Sequence, residues 1–126
     1  MTEDEIVSAY LDSRQGSERN TDAWDAVNDA IANDPALAVR LIERLLVRGR
    51  TESELALIGA GPLESFLVER GEEYLADLTR IATLHTKKFF LAYRVVYFND
   101  VAPTVFSSLD DALERGGIPA DRLRRA

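Results

Sequence analysis

The stretch Lys87–Phe98, KKFFLAYRVVYF, decides the fold class, because every other periodic segment reads as helix and this one alone would also suit a strand. It carries five of the ten aromatic residues and no Gly or Pro, and its β-branched and aromatic content favours extended backbone. A lone strand would leave its N–H and C=O groups without partners, and no second strand candidate is visible. The segment is therefore predicted to be a buried helix over residues 87–98, which makes the protein all-α.

Moving towards the N-terminus, Tyr74, Leu75, Leu78, Ile81 and Ala82 recur at helical spacing within Glu72–His85. Before them, Thr51 and Glu54 form a capping box leading through Leu55, Leu57 and Ile58 to Gly59, expected to close a helix in the left-handed conformation. Gly61-Pro62 restarts the chain with Leu63, Phe66 and Leu67, so two short helices are predicted to meet at a sharp corner. Pro35–Arg48, capped by Asp34, turns Ala38, Leu41, Ile42, Leu45 and Leu46 inward and sets Arg40, Arg44 and Arg48 in an outward row.

Upstream, Asn20 or Thr21 is expected to cap a helix with Trp24, Val27 and Ile31 on one side and Asp22, Asp25 and Asp29 on the other. Residues 14–20, RQGSERN, have no apolar side chain and read as a solvated connection. A capping box at Thr2 and Glu5 opens a first helix over Glu3–Asp12. Towards the C-terminus, Pro103 starts a helix ended by Gly116-Gly117, and a basic turn at Asp121–Arg125 is expected to fray. The expectation is a compact bundle or short α-α superhelix of seven to eight helices in one domain, 1–126. Within it, 1–19 form a peripheral acidic helix and linker, 20–117 the core and 118–126 a basic tail.

Charge is unevenly placed along this chain. Of 22 acids and 15 Lys plus Arg, nine acids and two bases fall within Met1–Asp34, so that segment carries the whole net charge of −7. Such acidity disfavours nucleic acid and favours a basic partner. Without cysteine, disulfides, thiolate metal sites and thiol catalysis fall away. The N-terminal sequence lacks a basic region and a long apolar run, so a cytoplasmic protein without a membrane anchor is expected.

Catalytic signatures are equally scarce. No phosphate-binding glycine loop, dinucleotide fingerprint, zinc-protease motif or calcium loop is present, and His85 is the single imidazole with no nucleophile motif around it. Asp110-Asp111 and Glu72-Glu73 stand at helix starts, where carboxylates favour the free N–H groups. No catalytic, cofactor or metal residues are predicted.

Four features remain. The Asp22, Asp25, Asp29 row reads first as the solvated face of an amphipathic helix and second as a docking surface for a cationic partner, the charge asymmetry being what lifts the second reading. Arg40, Arg44 and Arg48 either grip phosphate or pair with Glu43 or the acidic helix. The aromatic run is core rather than a base-stacking platform, since only Lys87, Lys88 and Arg94 accompany it. Gly59–Pro62 is a structural corner, because Glu64 would repel an anion there.

That corner, Ile58-Gly59-Ala60-Gly61-Pro62-Leu63-Glu64, with Ala23-Trp24 and Asn33-Asp34-Pro35, resembles the signature of a family of small bacterial all-helical proteins. The similarity spans residues 23–97 and stops short of the Pro103 helix. It implies a helical fold and carries no catalytic residues.

Small size, acidity and a metal-free core point to a binding protein, an immunity or antidote protein that covers the active site of a basic bacterial toxin such as a nuclease. Asp12, Asp22, Asp25 and Asp29 are the expected partner-binding residues, with Glu3 and Asp4 beside them. The alternative is a helical adaptor or regulatory scaffold that binds another protein through an apolar groove, and a carboxylate-only enzyme is the remainder.

Overall fold

The structure, a computed structural model, describes residues 1–123. It is all-α: eight α-helices, one π turn and one 3-10 turn, with no strand among the described residues. The two capping boxes form as read, Thr2 with Glu5 opening α1 (Glu3–Tyr10) and Thr51 with Glu54 opening α4 (Glu52–Ile58). Asp34 accepts from the Leu37 N–H and, with Pro35 at the first helical position, starts α3 (Pro35–Arg48).

The start of α2 (Glu18–Asn33) lies earlier than the sequence suggested. Ser17 is its cap, accepting from the Asn20 N–H. Asn20 is instead buried at 3% exposure, donating to the Ala9 and Tyr10 carbonyls at 3.0 and 3.1 Å while accepting from the Gly16 N–H. The segment expected to be a plain solvated link is thus stitched to the end of α1. An amide does this well because it both donates and accepts, so no buried polar atom of Asn20 is left open.

The expected corner is absent as well. Gly59 adopts right-handed helical angles, φ −63° and ψ −45°, and Glu52 to Arg70 runs through α4, a π turn (Gly59–Leu63) and α5 (Glu64–Arg70). Pro62 has no N–H for the Ile58 carbonyl and its ring would crowd that group in an α-helix; the wider π turn absorbs both. Gly59 is required here for a different reason: a Cβ would overlap the Ala92 carbonyl oxygen of the facing helix and come within 2.7 Å of the Val95 side chain.

Helix α6 (Leu75–Leu84) meets α7 (Thr86–Tyr93) at His85. Helix α7 confirms the helical reading of KKFFLAY but ends five residues short of Phe98. The Tyr97 N–H finds the Glu64 carboxylate at 2.7 Å, and Phe98 packs edge-on to Tyr93 and Phe106, so this N–H and this ring are both satisfied without a helix. After α8 (Pro103–Arg115), Gly117 turns at φ +104°. The turn Ala120–Leu123 docks rather than fraying: Leu123 is buried and the Arg122 guanidinium lies 4.8 Å from the Phe90 ring centroid. The last residues of the expected basic tail lie outside the described ones.

Helix α2 packs on α1, α3 and α5, α4 packs on α7, and α6 on α8. Leu41, Ile42, Leu45, Leu46, Ile58, Leu63, Phe66, Leu78, Ile81 and Phe89 are fully enclosed between them. Each such side chain stabilises the fold by about 1.5–3 kcal/mol relative to exposure, which explains how a chain without cysteine holds together. No described helix is long and apolar enough to cross a membrane.

Candidate interaction surface

Helix α2 places its charges by period. Asn20, Ala23, Val27, Ala30 and Ile31 face the core. With about 100° between successive residues, Glu18, Asp22, Asp25 and Asp29 fall within an arc of about 60° on the opposite side. All four are exposed. None forms an ion pair among the described residues; Asp29 accepts only from the Asn33 side chain, at 2.9 Å. Glu18 is the member that sequence reading missed. The Ser17-x-x-Asn20 spacing was the available signal, since a cap at Ser17 adds one turn and brings Glu18 into line with Asp22.

The other acids of the N-terminal segment are differently placed. Asp12 sits in the turn after α1, its side chain only 16% exposed, and accepts from the Arg14 N–H at 2.8 Å with the Arg14 guanidinium at 3.5 Å. The hydrogen bonds from Arg14, with a smaller opposing contribution from desolvation, hold the Asp12 carboxyl below its ordinary value. Asp12 is therefore a local clasp whose charge is already answered, and it does not lie on α2. Glu3 and Asp4 face α3: Arg40 approaches Glu3 at 3.5 Å, while Arg44 reaches both Glu3 and Asp4. Arg40 and Arg44 thus draw the acidic α1 onto α3, and Glu3 and Asp4 are paired with cations where the acids of α2 are not among the described residues.

Beside the α2 row, Trp24 stacks on Tyr10 with ring centroids 4.9 Å apart and planes 16° from parallel. The pair fixes how α2 lies on α1, so the outward direction of the acids follows from aromatic packing underneath. Burial pushes the Tyr10 hydroxyl above the usual phenol range.

His85 stands at the α6–α7 junction, its Nε2 3.0 Å from the Glu43 carboxylate, which Arg80 grips with both guanidinium nitrogens at 3.2 Å. No nucleophile lies in that cluster. No grouping of three or more potential metal ligands occurs among the described residues. No family model, curated protein or solved structure matches this chain.

Proposed function

We propose that the protein is a non-catalytic binding protein that docks a basic protein partner against the exposed face of α2. On this reading it is an immunity or antidote protein, and the partner is a cationic toxin domain, such as a nuclease, whose substrate groove the acids occupy. One observation carries the reading: Glu18, Asp22, Asp25 and Asp29 form a continuous exposed row without basic partners among the described residues, on a helix whose opposite face is locked into the core.

Four carboxylates at helical spacing offer a linear array of negative charge to a groove built for a phosphate backbone. Such complementarity accelerates encounter and suppresses wrong partners more than it adds raw affinity. Because the row is exposed, its field reaches an approaching partner and weakens as salt rises.

The test is retention from an extract of the native host on the immobilised full chain at low ionic strength, beside a variant carrying Asp22→Asn, Asp25→Asn and Asp29→Asn. A basic protein held by the parent chain and lost by the variant supports the reading. Equal retention by both, or retention of an acidic protein, overturns it, and retention insensitive to salt favours docking through an apolar groove.

A further inference from the structure

The outward row of α3 borders a cleft of about 520 Å³ against the α6–α7 junction, lined by Arg40, Glu43, Arg44, Val47, Arg48 and His85. None of these residues belongs to α2. We propose that this cleft is a binding site for a small organic anion, a carboxylate head on a short aliphatic body.

Three observations carry this assignment. The cations outnumber the acids: Glu43 is the one carboxylate in the lining, and the Arg80 fork and His85 already occupy its oxygens. Arg48 is exposed and pairs with no acid among the described residues, whereas Arg40 and Arg44 reach back to α1. An apolar wall lies beside these charges, because Val47, which lines the cleft, is 50% exposed.

Size and chemistry then narrow the ligand. The volume falls within the range of small-molecule sites, about 300–1,000 Å³, and is far larger than a bare ion needs. Arginine presents a planar fork that matches a carboxylate with two parallel hydrogen bonds, while its aliphatic stem lines the cleft next to Val47. A neutral apolar ligand would leave Arg48 unanswered, and a bare anion would leave Val47 in water. Both halves of the lining are used only by a molecule carrying both features. Lys88 donates to the Val47 carbonyl at 2.7 Å, which ties the backbone at the end of α3 to α7.

The proposal does not depend on the α2 reading, and its test requires no protein partner. Hexanoate is titrated into the ¹⁵N-labelled full chain, with acetate and 1-hexanol as the two half-ligands. Saturable shifts of the Val47, Arg48 and His85 amides are expected with hexanoate, and binding at least about tenfold weaker with either half-ligand. Arg48→Gln, at an exposed position, is expected to weaken hexanoate by about tenfold, and Arg19→Gln on α2 to leave it unchanged. Val47→Asp, which keeps Arg48 in place, is expected to abolish saturation. Acetate matching hexanoate, saturation surviving both cleft substitutions, or no saturation by hexanoate overturns the proposal.

Discussion

Gly61 faces the Tyr10 hydroxyl so closely that a methyl group on Gly61 would lie 2.5 Å from that oxygen. Neither the Tyr10 hydroxyl nor the Trp24 indole N–H has a hydrogen-bond partner among the described residues. The absence of a side chain at Gly61 thus makes room for the stacked pair that seats α2. Gly61→Ala should destabilise the protein by about 1–3 kcal/mol through overpacking. Tyr10→Phe should be neutral or stabilising by up to about 1 kcal/mol, because it removes a buried unpaired hydroxyl. In the double variant most of the Gly61→Ala cost should disappear, a coupling that a urea-denaturation double-mutant cycle measures. Strictly additive losses would show that the two residues do not oppose one another.

Gly59 makes a close approach to backbone, at the Ala92 carbonyl on α7. Backbone cannot yield as a flexible side chain does, so Gly59→Ala should cost about 3 kcal/mol or more, and Ala60→Ser, at the exposed position between the glycines, less than about 0.5 kcal/mol. Thermal or chemical denaturation of the two variants checks the ordering.

Much of the fold was legible because its signals are local. The boxes at Thr2 and Thr51, the Asp34-Pro35 start and the inward row of α3 need only their own neighbours to form. What escaped depends on contacts distant in sequence. Gly59 reads as a helix terminator, but its role is to let Ala92 come close. The run to Phe98 has no Gly or Pro to stop a helix past Tyr93, yet the chain leaves the helix there and the Tyr97 N–H goes to Glu64, far upstream. Asn20 looks like a cap because capping is the common use of a short amide, and its bonds to Ala9 and Tyr10 appear only once α1 folds back on α2. That Asp22, Asp25 and Asp29 share one exposed face of α2 was readable by period alone. Asp12 was included for its charge, and its engagement by Arg14 is a turn contact that no periodicity encodes.

Acid should weaken the link between α3 and the α6–α7 junction. Burial pushes the Glu43 carboxyl up, but the hydrogen bonds and charges of Arg80 and His85 outweigh it and hold the group below its ordinary 4.5. A carboxyl lowered on folding stabilises fully above its unfolded value, and that stabilisation is lost as pH falls through the lower folded value. The parent chain should therefore lose stability below about pH 4.5, and Glu43→Gln should show a shallower loss there, at a neutral-pH cost of about 1 kcal/mol. Urea midpoints across pH for the two proteins make the comparison, and identical slopes would remove Glu43 from the account.

The central claim is that the exposed α2 carboxylates drive docking. It is tested most directly by the affinity of the retained basic partner for the parent chain and for the Asp22→Asn, Asp25→Asn, Asp29→Asn variant, as salt rises from about 0.01 M to about 0.15 M and the screening length shrinks from about 30 Å to about 8 Å. The account predicts a steep fall for the parent and a weaker, nearly flat response for the variant. Equal affinities with the same salt dependence in both proteins would contradict it.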